Sequence, residues 1–207
     1  MAIGTFEELK TAAANWLGRD DLTDRIPEFI ALGEARMNRT IFARAQELRS
    51  TATLVADDAY TSLPTDLRTI RAVQLNTTPT TILRFMPPSM LERTYPSTTT
   101  GKPVAYTVIG VEIKWAPTPD SGYAAEILYT QGIPALSSSN AINTYLTRSP
   151  DAYLYSTLSE AHRYLMDPAQ ANNFDQLFGR AMGEIKDEDE KSRWGGSPLQ
   201  MTTGSTP

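Results

Sequence analysis

The chain has 207 residues, with 24 Asp and Glu against 19 Lys and Arg, a net charge of −5, one histidine and no cysteine. The lack of cysteine excludes disulfides, thiol catalysis and Cys-ligated metal sites, and it suits a reducing cytosol. The acidic balance speaks against a general nucleic-acid binder, whose phosphate contacts need clustered Lys and Arg, and no apolar run has the length to cross a bilayer.

A chain of this size makes one domain or two small ones. Residues 1–8 have neither a basic n-region nor an apolar h-region, so no secretory leader is expected. Thr5 with Glu8 three residues on is a capping-box pattern. Phe6, Leu9, Ala13, Trp16 and Leu17 then share one helical face, and Gly18 suits a left-handed close. A second helix is expected after residues 19–21, with Thr23 or Asp24 as its cap and Pro27 in its first turn. Its apolar stripe is Ile26, Phe29, Ile30, Gly33, Met37 and Ile41, and Glu28, Arg36 and Arg39 lie opposite. Gly33 in mid-helix costs about 1 kcal/mol relative to Ala, which predicts the close approach of another helix.

Beyond Glu47 the pattern changes. Runs at 48–56, 69–75, 81–85, 104–108, 111–115 and 124–131 read as strands, residues 60–63 lead into a turn, and a short helix is expected at 87–93. Asp57-Asp58, Pro64-Thr65-Asp66, Asn76-Thr77-Thr78-Pro79 and Ile109-Gly110 read as turns. This predicts an antiparallel β-module of about six short strands. Residues 135–148 are a Ser/Asn-rich crossing. Ser149-Pro150 starts a third helix striped by Leu154, Leu158, Ala161 and Leu165, and Asp167-Pro168 repeats the device. The fourth helix carries Ala171, Phe174, Phe178, Ala181 and Ile185 and ends in the charged stretch 186–191. Residues 195–207 are too polar and too short to fold alone. The expected fold class is therefore α+β: a discontinuous four-helix bundle (1–48 plus 148–194), an inserted antiparallel β-module with one short helix (49–147), and a flexible C-terminal arm (195–207).

Candidate chemistry is sparse. The run Asp187-Glu188-Asp189-Glu190 cannot converge on one cation, because successive helical residues point about 100° apart. Asp20-Asp21 and Asp57-Asp58 resemble the carboxylate pairs of glycoside hydrolysis, but both sit where turns favour Asp. His162 lies between charged neighbours on an amphipathic helix, and no HExxH, GxSxG or phosphate loop occurs. Arg36, Arg39, Arg44 and Arg49 could touch DNA, or could pair with acids of neighbouring elements or of a second copy. Tyr145, Tyr153, Tyr155 and Tyr164 crowd the third helix and its approach, as helix packing or a subunit interface favours. Trp194, Leu199 and Met201 are apolar anchors in a polar tail.

Three stretches carry a family resemblance. Residues 21–39 (DLTDRIPEFIALGEARMNR) look like the second helix of the tailed-phage head–tail adaptor family. Leu63-Pro64-Thr65-Asp66 resembles that family's turn into its first hairpin. Residues 132–137 (GIPALS) followed by 145–155 (YLTRSPDAYLY) resemble its return to the bundle. The similarity runs over about residues 3–190, and podovirus tail tubular protein A is a more distant relation. The resemblance implies a non-enzymatic structural protein without cofactor, metal or membrane contact, located in the virion at the head–tail junction after synthesis in the host cytoplasm. It implies a ring, usually of twelve copies, that binds the portal protein and the tail or nozzle protein and lets DNA pass without reading its sequence. It also implies a C-terminal arm that reaches the portal, here Trp194, Pro198, Leu199 and Met201. Ring closure needs one face of a copy to fit a different face of the next. Arg36, Arg39 and Arg44 on one side and Glu184 and Glu188 on the other are the candidate faces. The competing expectations are a virion-associated glycan hydrolase using Asp57, Asp58 or Asp120, and a DNA-binding head-completion protein using the arginines.

Overall fold

A computed structural model describes residues 3–19, 21–41 and 44–194, the side chains of Arg193 and Trp194 excepted. The fold is α+β, with six α-helices and two four-stranded sheets among the described residues. The chain divides into two compact units, a helical one from residues up to Ala45 and from Ile133 onward, and a β-unit from Gln46–Gly132.

In the helical unit, α1 (Phe6–Leu17) begins with the capping box: Glu8 N–H donates to Thr5 Oγ1 and Thr5 N–H to Glu8 Oε2. Gly18 closes it at φ 61°. α2 (Ile26–Thr40) begins later than Thr23 or Asp24 would place it. Arg25 stands at its N-cap without a side-chain bond, because Arg25 and Ile26 N–H first turn back onto the Leu22 carbonyl. α4 (Thr144–Arg148) is a short helix inside the stretch expected as a plain crossing. Asn143 caps it, accepting from Leu146 N–H at 2.8 Å. α5 (Pro150–Tyr164) and α6 (Pro168–Trp194) follow, α6 being capped by Asp167, which accepts from Gln170 N–H.

α5 is the hub and packs against α1, α2, α4 and α6. Leu9, Ile26, Ile30, Met37, Leu146, Leu158 and Phe178 are buried in one core. The close approach expected at Gly33 is present: a Cβ there would lie 2.6 Å from Ser156 Oγ on α5. The return to the helices starts at Ile133, well before residue 148, because α2 holds that segment. Ile133 N–H donates to Asn38 Oδ1 at 2.7 Å and Leu136 N–H to Glu34 Oε1 at 2.8 Å.

The β-unit contains β1 (Glu47–Leu54), β2 (Tyr60–Ser62), β3 (Leu67–Leu75), β4 (Thr81–Ile82), β5 (Arg84–Phe85), α3 (Pro88–Thr94), β6 (Ala105–Ile109), β7 (Glu112–Ala116) and β8 (Tyr123–Gln131). They form two sheets, β1-β8-β3-β4 and β2-β7-β6-β5, rather than one. Both sheets feed one core: Leu54, Val73, Leu75 and Ile127 from the first, Tyr106, Ile113 and Trp115 from the second. The expected strand 81–85 breaks at Leu83. Its first half pairs antiparallel with β3 and its second half pairs parallel with β6, Arg84 opposite Ala105. The module is therefore mixed rather than wholly antiparallel. The hairpin at Ile109-Gly110 forms as expected, Ile109 pairing with Glu112 and Gly110 standing at φ 63°.

Candidate functional site

Arg36 on α2 reaches across to α5 and α6. Its Nη1 donates to Glu160 Oε1 at 2.8 Å and Ser159 Oγ at 3.2 Å, and its Nη2 to Asp175 Oδ1 at 2.8 Å. Its guanidinium lies 4.9 Å from the Phe178 ring centre. Arg163 closes the network onto Glu160 and Asp175 from the other side. Burial pushes the Asp175 carboxyl up, but the Ser159 hydroxyl and the Arg36 and Arg163 charges outweigh it and hold it below the usual carboxylate range. Arg36 is thus spent inside the unit.

Arg39 is exposed on the outer side of α2. Arg44 sits beside α6: its backbone N–H donates to Asp189 Oδ1 at 2.7 Å and its Nη1 to the Ser192 carbonyl at 3.3 Å. Arg44, Tyr145, Arg148, Glu188 and Asp189 line a groove of about 300 Å³. The structure therefore brings Arg44 and Glu188 to one place and leaves Arg39 and Glu184 exposed elsewhere on the unit. Arg148 in that groove was not singled out from the sequence, and a lone Arg at the end of a five-residue helix gives no periodic signal.

A second polar cluster also escaped the sequence reading. Glu34 is 5% exposed within the helical core. Its Oε1 accepts from Leu136 N–H and, at 3.2 Å, from the Tyr153 hydroxyl, which accepts in turn from Asn143 Nδ2 at 2.5 Å. Burial raises the Glu34 pKa, and the Leu136 and Tyr153 bonds oppose the rise only in part. Burial also raises that of Tyr153. The available signal was an acid on the stripe Ile30, Glu34, Met37, Ile41, where only apolar side chains are expected.

The other tyrosines are structural partners. Tyr155 meets Trp16 edge-on at 6.5 Å and Tyr164 packs on Phe29 at 5.5 Å. His162 stacks on Phe174 at 5.3 Å.

The outer surface of α6 carries Gly179 and Gly183, both exposed, and a Cβ on either would meet nothing among the described residues within 4 Å. Each lowers helix stability by about 1 kcal/mol relative to Ala, with no close contact among the described residues to account for it.

The hydrolase candidates lie in the β-unit. Asp57 turns the chain at φ 63°, Asp58 accepts from Tyr60 N–H, and Asp120 accepts from the Tyr123 hydroxyl at 2.7 Å. Asp21 is held by Arg19, and Asp20 falls outside the described residues. Arg49 pairs with Glu126 across β1 and β8. Among the described residues no group of three or more His, Asp or Glu could hold a metal ion, and no helix is long and apolar enough to cross a membrane. The side chain of Trp194, and Pro198, Leu199 and Met201 entirely, lie outside the described residues.

A family model described as SU10 adaptor protein matches residues 4–202, which is nearly the whole chain. No curated protein matches it.

Proposed function

This chain belongs to the SU10 adaptor protein family, a structural family of tailed phages, and we propose that it forms the ring that joins the portal to the tail and continues the DNA channel. The observation that carries the reading is a match that spans both units and reaches residue 202, into the proposed arm. In this reading α1, α2, α5 and α6 act as a discontinuous four-helix bundle. The shared core, with α5 against the other three helices, supports that description. Copies associate through different faces of this unit, and closure of the circle fixes their number, for which twelve is the proposal.

The arm 195–207, with Trp194 at its root and Pro198, Leu199 and Met201 along it, reaches the portal. The β-unit meets the tail or nozzle protein. The charge of −5 supports a channel that lets DNA pass without holding it, since an acidic wall repels phosphates. A free chain in solution need not assemble, because the portal ring can template it and spread the ordering cost over many identical contacts.

The test is electron microscopy of the purified chain mixed with portal rings. A collar of copies on one end of the portal is expected, and portal rings left bare at saturating adaptor would end the proposal. Removing residues 195–207 should leave the circular-dichroism spectrum helical and abolish co-sedimentation with portal. Undiminished co-sedimentation would take the arm out of the mechanism. Degradation of cell-wall or capsule glycan by the pure protein, lost on Asp120→Asn, would favour a hydrolase instead.

A further inference from the structure

We infer that neighbouring copies meet through the outer stripe of α2 in one and the outer stripe of α6 in the next, with Leu32 seated over Gly183. The inference rests on the ring reading and names the two faces that reading requires.

α5 packs against both α2 and α6. Gly33 faces Ser156 on α5, and Asp175 accepts from Ser159 on the same helix, so the inward side of α2 and of α6 is fixed. Arg36 of α2 also bonds Asp175 of α6, so the two helices lie side by side on α5 and the stripes turned away from it are two different outward faces. Two different faces are what a head-to-tail contact between identical copies needs.

The α2 stripe is Glu28, Leu32, Ala35 and Arg39, all exposed. Leu32 is its one large apolar side chain, 52% exposed with Ala31 and Ala35 beside it. The α6 stripe is Gln176, Gly179, Gly183, Asp187 and Glu190, also exposed. The two glycines relieve no crowding among the described residues of their own chain. They leave a shallow trough where another backbone can come close, and a projecting leucine flanked by alanines is the matching shape.

Charge sets the direction. With the helices parallel and Leu32 over Gly183, seven residues further on, about 10.5 Å along each axis, Arg39 meets Glu190. That pair is of opposite sign, and Glu28, four residues before Leu32, lies over Gly179 and meets no like charge. In the antiparallel alternative Glu28 would face Asp187, a like-charge contact, and Arg39 would face the uncharged Gln176.

The chain has no cysteine, so introduced thiols report only their own contact. Leu32→Cys and Gly183→Cys are to be made in the full chain and oxidised gently on portal rings. Mixed together they should give cross-linked dimers, each alone should give none, and the double variant should give a ladder of multimers, since a disulfide requires Cα atoms within about 7 Å. Separately, Gly183→Leu should cut the yield of assembled rings at least tenfold while the Tm stays the same or rises. Arg39→Glu should do the same to the yield, and adding Glu190→Arg should restore it. Full ring yield with Gly183→Leu, or cross-links between identical positions, would overturn the inference and leave the ring reading standing. A parent chain that neither forms rings nor binds portal would overturn both.

Discussion

In the β-unit the two sheets close on Trp115, Ile113 and Ile127, and the Trp115 Nε1–H finds Thr61 Oγ1 at 2.9 Å. In the helical unit the core is interleaved with Glu34, Asn143 and Tyr153, and Arg36 ties α2 to α5 and α6 at its margin. The β-unit is one continuous stretch, whereas the helical unit is built from two stretches separated by the whole of the other. In the β-unit backbone ladders supply direction and register even between distant strands, as between β1 and β8. Helices bond their backbone within themselves, so segments brought together from separate stretches gain from buried polar groups, which supply direction at the cost of desolvation.

The sharpest way to break this contrast is to remove the centre of the β-core. Trp115→Ala should destabilise the protein by about 3–5 kcal/mol, read as a shift in the urea midpoint. A loss below about 1 kcal/mol would show that the sheets do not depend on it. Next in size is Arg36→Ala, expected to cost about 2–3 kcal/mol. That lies at or below the low end for breaking a buried pair, because Arg163 still contacts both carboxylates. Gly33→Ala forces a Cβ to within 2.6 Å of Ser156 Oγ, and about 1–3 kcal/mol of overpacking should follow. The double change Gly33→Ala with Ser156→Gly should recover most of it in thermal melts.

The smallest effect concerns two carboxylates whose pH dependence runs in opposite directions. Asp175 has a folded pKa below its unfolded value, so it stabilises above the ordinary carboxylate range, and that contribution is lost as pH falls through the folded value. Glu34 has a folded pKa above its unfolded value. Its ionised form therefore weakens the fold at neutral pH, and the penalty is relieved as pH falls through the folded value. Glu34→Gln should leave the neutral-pH urea midpoint equal to or above that of the parent, and the difference should shrink on acidification toward the carboxylate range. A variant weaker than the parent at neutral pH but matching it in acid would mean that the charge itself holds Leu136.

Much of the helical unit was legible because its signals are local. The Thr5–Glu8 box, Gly18 at the end of α1, and Gly33 against α5 each follow from a few adjacent residues. Residues 135–148 read as a plain crossing because Ser and Asn mark loops by composition, whereas Asn143 caps a short helix there and Leu136 is held by a backbone bond to an α2 side chain. The β-unit was legible in its strands but not in their assignment to sheets. Nothing in residues 81–85 announces a change of partner at Leu83, because parallel pairing with β6 is decided by distant residues. Of the candidate interface residues, Arg36 could not be distinguished from Arg39 by sequence. They sit three apart on one helix, and only the positions of Glu160 and Asp175 turn the first inward.

The β-unit begins and finishes on paired strands, Glu47 lying opposite Thr130, with Gly132 N–H bonded to the Asp66 carbonyl. Its two junctions with the rest of the chain are consequently separated by little more than the width of one ladder, about 5 Å. A cassette with such close ends can be cut out and replaced by any other compact insert of the same footing, or by a few glycines, without re-spacing α2 and α4.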